Sequence, residues 1–66
     1  MQIFINGEEK QVPDDINMTS LVALLELGDQ RFAVEINQDL IPRSTFDNHQ
    51  LGAGDKVEIV HAIGGG

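Results

Sequence analysis

The chain closes on three consecutive glycines, Gly64-Gly65-Gly66, a few residues after the β-prone run Val57-Glu58-Ile59-Val60. Glycine has no Cβ, so such an end gains nothing from packing and loses the most entropy if it is ordered. Two readings follow. The glycines are a frayed terminus or leftover linker, or the terminal carboxylate is itself the reactive group. A slim end can thread into a narrow active site where a side chain would clash. Extended, the five residues from Ala62 to Gly66 reach about 16–18 Å.

Few other residues offer chemistry. His61, between the last strand and the tail, could reach a partner's phosphate or metal, but it reads first as the residue that finishes the strand. His49 lies in a polar loop with no metal-ligand companion at a useful spacing, so no metal site is expected. The pairs Glu8-Glu9 and Asp14-Asp15 lie at turns and read as solvated charge. No serine has a histidine partner at a recognisable spacing. Cysteine is absent, which removes disulfides, thiolate catalysis and cysteine metal sites together. Nothing in the chain could catalyse a reaction alone, so a non-enzyme is expected.

Composition bounds the partners. Sixty-six residues make one domain, and a chain this short buries only about 60% of its unfolded surface, leaving little room for an enclosing pocket. The 41% hydrophobic content is that of a folded domain. Four Lys/Arg against eleven Asp/Glu give a formal charge of −7. That balance repels nucleic acid and anionic membrane, keeps a small protein soluble and suits a partner with a basic docking surface. Met1-Gln2-Ile3-Phe4 lacks the basic, then apolar, pattern of a secretory signal, and Leu21–Leu25 is too short to span a bilayer. A cytoplasmic protein is expected.

The elements that must carry the tail follow from periodicity. Residues 2–6 alternate, with Ile3 and Ile5 on one face and Phe4 on the other, as in a half-buried strand. Asn6-Gly7 is a type I′ hairpin signal, and Glu8 to Val12 is the returning strand, ended by Pro13. Asn17 is a good helix N-cap. Met18, Leu21, Val22 and Leu25 form one apolar stripe, with Gly28 as the expected C-terminal stop. Leu24 and Leu27 lie off that stripe and are expected to be partly covered. Phe32–Asn37 reads as a third strand with Val34 and Ile36 inward, and Leu40-Ile41 as a short fourth. A 3₁₀ turn is expected around Ser44-Thr45-Phe46, Leu51 is a lone anchor, and Gly52-Ala53-Gly54-Asp55 is a tight turn. Val57–Val60 is the last strand, with Val57 and Ile59 inward. The order predicts an α+β fold, a sheet of four to five strands with one helix on one face. The opposite face is left for water or a partner.

This order, ending in glycine, resembles the β-grasp, ubiquitin-like sulfur carriers, specifically the ThiS family of thiamin biosynthesis. The resemblance covers the whole chain. It rests on Met1-Gln2-Ile3 opening into strand one, on Ile36-Asn37-Gln38 followed by Ile41-Pro42-Arg43, and on Gly54-Asp55 before Val57-Glu58-Ile59-Val60-His61 and the terminal glycines. The MoaD-type carriers of molybdopterin synthesis share the fold and a Gly-Gly end. They usually approach the glycines through proline, where this chain has His61-Ala62-Ile63. Three glycines in place of two make Gly65-Gly66 the functional pair and Gly64 slack.

The resemblance implies a single β-grasp domain over residues 1–61 and a flexible tail over 62–66. It implies that a ThiF-type adenylating enzyme joins the Gly66 carboxylate to AMP using ATP, with no cofactor held by this chain. Sulfur from a cysteine desulfurase then makes a thiocarboxylate, and a ThiG-type thiazole synthase receives it. Gly64 and Gly65 would thread the partner. If strand one lies beside the last strand and that beside strand three, Phe4 and Val60 become neighbours, with Ala33 and Glu35 alongside. With Ile63 they form a candidate docking patch, against the alternative that single exposed apolar residues are ordinary. Arg43 is expected to pair with an acid of the chain or of a partner. Two other classes stay open: a non-covalent docking module with inert glycines, and a ubiquitin-like tag that ends in an isopeptide bond.

Overall fold

The computed structural model describes residues 1–28 and 30–61. β1 (Gln2–Ile5) turns through Asn6-Gly7 into β2 (Glu8–Gln11). Both turn residues have positive φ, 51° and 85°, the type I′ geometry that matches strand twist. α1 (Met18–Leu25) follows, then β3 (Phe32–Ile36), β4 (Asp39–Ile41), a 3₁₀ turn over Arg43–Asn48 and β5 (Lys56–His61). The sheet order is β2-β1-β5-β3-β4. β1 and β5 run parallel at its centre, and the other neighbours are antiparallel. One helix packed on a mixed five-stranded sheet is the α+β, β-grasp arrangement that the element order predicts.

Alternation along the strands builds the core. Ile3, Val34, Ile36, Val57 and Ile59 point to the helix side, where Met18 and Leu21 meet them; Ile3, Met18, Leu21 and Val34 expose no surface. Phe46 of the 3₁₀ turn and Leu51 close the ends of this layer. The Asn17 side chain accepts from the Ser20 amide at 2.8 Å, the N-cap expected, and such a cap contributes about 1 kcal/mol. Next to it the Met18 amide donates to His49 O (2.9 Å) and the Leu51 amide to Ile16 O (3.0 Å), which tie the helix start to the chain after the 3₁₀ turn. The Met1 ammonium donates to Val12 O (2.6 Å) and to Asp14 Oδ1 (2.8 Å). That hydrogen bond and the positive charge behind it hold the Asp14 carboxyl below its usual range.

Two expectations about the helix change. It stops at Leu25, not at Gly28: Glu26 takes the left-handed cap position (φ 54°) and its amide bonds Ala23 O at 3.2 Å. Gly28 is also left-handed (φ 62°), but as part of the loop beyond. Leu24 is 45% exposed, less covered than expected. Leu27 is half-buried against the core, as expected.

Candidate functional site

β5 leads into the glycine tail, and the fold fixes it on both sides. β1 runs out at Ile5, where the chain turns, yet the ladder continues. The Asn6 amide donates to Val57 O, and Asn6 Oδ1 accepts from the Ile59 amide at 2.9 Å. At the other end of β5, Asn37 Oδ1 accepts from the Lys56 amide and Asn37 Nδ2 donates to Asp55 Oδ1, each at 3.1 Å. On the far side all of Ile36 to Phe32 pairs with Val57 to His61. β5 is therefore an inner strand held on both edges as far as Ile59, and by β3 at Val60 and His61. Asn6→Gly keeps the turn conformation but removes the acceptor for a part-buried amide. It is expected to cost about 1–2 kcal/mol, read as a lower denaturant midpoint at unchanged m-value.

Among the described residues Arg43 has no acidic partner. Its Nη2 donates to Phe32 O at 3.0 Å, and its guanidinium lies 4.4 Å from the Phe32 ring centroid. Phe32 is the residue paired with His61, so this cation–π and hydrogen-bond clamp steadies the strand end from which the tail departs. His61 is exposed and forms the last rung of β5, the structural role expected. His49 supplies a backbone carbonyl to the helix start. Among the described residues no three His, Asp or Glu side chains converge as a metal site.

Of the expected site residues, Ile63, Gly64, Gly65 and Gly66 lie outside the described residues. The docking patch is corrected by the register. β1 does neighbour β5, but Phe4 stands opposite Lys56, not Val60. Val60 is four residues further along β5, roughly 13 Å away at strand rise. Phe4, half-buried between Glu9 and Lys56, belongs to a different part of the face. Val60 pairs directly with Ala33, as expected. Glu35 stands between Glu58 on β5 and Leu40 on β4. Leu40, 66% exposed, and Glu58 are the members of this patch that the strand reading does not name. Leu40 was within reach of parity, since it sits beside Ile41, whose partner Val34 faces the core.

The ThiS family model matches residues 3–66, from β1 to the last glycine. The chain belongs to the ThiS family. A solved ThiS-family structure, the thiamine biosynthesis protein (ThiS) of Geobacter metallireducens, superposes with a TM-score of 0.87 at 30% identity, each chain covered over 100% of its length. Among related sequences, a thiazole synthase of Paramagnetospirillum magneticum is 36% identical over all 66 residues. The chain spans only 20% of that protein's length. An uncharacterized protein of Porphyra purpurea, ycf40, is 35% identical and is covered over 93% of its length. Among the described residues no helix is long and apolar enough to cross a membrane.

Proposed function

We propose that this chain is the sulfur carrier of thiazole formation in thiamin biosynthesis, a cytoplasmic protein substrate and not a catalyst. The observation that carries the reading is the family match running through the end of the chain to Gly66. The likeness to proteins named thiazole synthase supports the partnership, since a segment similar to this entire chain makes up a fifth of such a protein. Residues 1–61 serve as the docking domain and 62–66 as the segment that enters partners.

The chemistry needs only the terminal carboxylate from this chain. In a ThiF-type enzyme a Gly66 carboxylate oxygen attacks the α-phosphorus of ATP and pyrophosphate leaves. A carboxylate is a poor electrophile, whereas the acyl adenylate is a good one. The outer sulfur of a persulfide, supplied by a cysteine desulfurase, attacks the acyl carbon and AMP leaves with its bonding pair. A thiol then takes the inner sulfur as a disulfide, which releases the thiocarboxylate. A ThiG-type thiazole synthase consumes that sulfur. The chain binds no cofactor of its own; ATP belongs to the activating enzyme. With no cysteine present, the activated acyl group has no internal thiol to divert it.

Threading sets the role of Gly64 and Gly65, and Gly65→Ala tests it. A methyl one residue before the reacting carboxylate has to fit the partner's channel, and misplacement of about 1 Å costs on the order of 100-fold in rate. Adenylation is expected to fall at least tenfold by pyrophosphate release, with an unchanged melting temperature. Unchanged adenylation would contradict the threading role. The apolar part of the docking patch is Val60, Ala33 and Ile63, with Phe4 contacting a separate region of the partner.

A further inference from the structure

Among the described residues nothing covers the outer face of the sheet at its β4 end. Leu40 on β4 is 66% exposed and Val60 on β5 49%. Between them the register sets Glu35 directly opposite Glu58, with Ala33 opposite Val60 in the next row. Opposed positions in an antiparallel pair place their Cβ atoms roughly 5 Å apart, where like charges destabilise the sheet. Among the described residues no cation forms an ion pair with either carboxylate. Arg43 is held on Phe32. Lys10 pairs with Ile3 on the helix-side face of the outlying β2, and Arg31 precedes β3. Lys56 lies one row away, opposite Phe4, and among the described residues the ion pair formed is that of Met1 with Asp14.

We propose that this face, with Leu40, Ala33 and Val60 around the Glu35–Glu58 pair, is the docking surface for an arginine set in an apolar patch of the adenylating partner. Arginine fits because its planar fork can donate to two carboxylates at once and its weakly hydrated guanidinium tolerates an apolar rim. The partner's charge converts a repulsive pair into a three-membered ion cluster, and Leu40 and Val60 exclude water around it. The face reaches to within one residue of His61, so docking there presents the tail directly to the same enzyme. The proposal rests on the carrier reading for the identity of the partner, but not on any chemistry at Gly66.

The test separates stability from binding. Glu58→Gln and Glu35→Gln each remove a repulsion, so each is expected to raise the melting temperature of the free chain by about 1–5 °C. Each is expected to weaken binding of the purified ThiF-type enzyme at least tenfold by calorimetry. Leu40→Ser is expected to leave the melting temperature unchanged and weaken binding about tenfold. Glu8→Gln, at the far hairpin end, removes the same net charge and is expected to change the dissociation constant less than twofold. Glutamate variants that bind like wild type, or a Glu8→Gln loss equal to theirs, overturn the proposal. So does a wild-type chain that self-associates through this face or fails to bind the enzyme. A wild-type chain that binds yet acquires no thiocarboxylate overturns the carrier reading and leaves this surface standing.

Discussion

Deletion of Gly65 and Gly66 is expected to abolish thiocarboxylate formation while leaving the melting temperature where it was. The stability half follows from the core. Every buried apolar side chain of the described residues lies between Ile3 and Ile59, and β5 makes its last pairing at His61 with Phe32. The chemical half follows from reach. Losing two residues moves the carboxylate back by roughly 7 Å. Attack on the α-phosphorus requires reacting atoms within about 3–3.5 Å in a near-attack geometry, so no partial activity survives such a shift. The expected loss is at least 1,000-fold in single-turnover formation of the acyl adenylate, with docking retained. A truncated chain that melts several degrees lower would show the glycines to be structural, and one still adenylated would show the terminus to be dispensable.

The converse is expected of Leu21→Ala. Leu21 exposes no surface and sits where the single helix meets the single buried sheet face, so no second layer can collapse into the space it leaves. Leucine-to-alanine changes in such positions cost about 2–5 kcal/mol, and a chain this size starts near the low end of about 5–15 kcal/mol. Each kcal/mol shifts the melting temperature of a small domain by about 4–8 °C, so a fall of about 15 °C is expected. Sulfur loading should fall only with the folded fraction and return on cooling, which distinguishes this loss from that of the tail deletion. Thermal and urea unfolding with an unchanged m-value check it; a fall under about 5 °C would mean that the core repacks.

Local signals in the chain are the ones that translate directly into structure. Asn6-Gly7 marks the hairpin because few residues other than Asn and Gly accept its backbone angles, and Asn17 marks the helix start because its oxygen meets a free amide. The two-residue period of β3 and β5 assigns inward Val34, Ile36, Val57 and Ile59 correctly. What parity cannot supply is the offset between strands. It says that Phe4 and Val60 share a face, but the four-residue slide that puts Phe4 opposite Lys56 comes from the crossover and from Asn6 bonding Val57 and Ile59. The helix end is misread for a similar reason. Gly28 is the residue best suited to a left-handed cap, yet Glu26 takes that position once its amide can bond back to Ala23. Arg43 was legible as a pairing residue, but its partner is a ring and a backbone carbonyl on another strand. The reactive end is read from composition and resemblance, since no packing term acts on bare glycine.

The central claim is that the terminal carboxylate of Gly66 becomes a thiocarboxylate, and alkylation followed by intact mass measures it. The chain is incubated with ATP, the ThiF-type enzyme, a cysteine desulfurase and cysteine, then treated with a thiol-alkylating reagent. Alkylation is needed because exchange of oxygen for sulfur adds the same nominal mass as oxidation of Met1 or Met18. With no cysteine in the chain, the account predicts one alkyl group per molecule, located on the C-terminal fragment and lost when Gly66 is removed. An unalkylated chain in the presence of active enzymes, or conversion to higher-mass isopeptide conjugates, would contradict it.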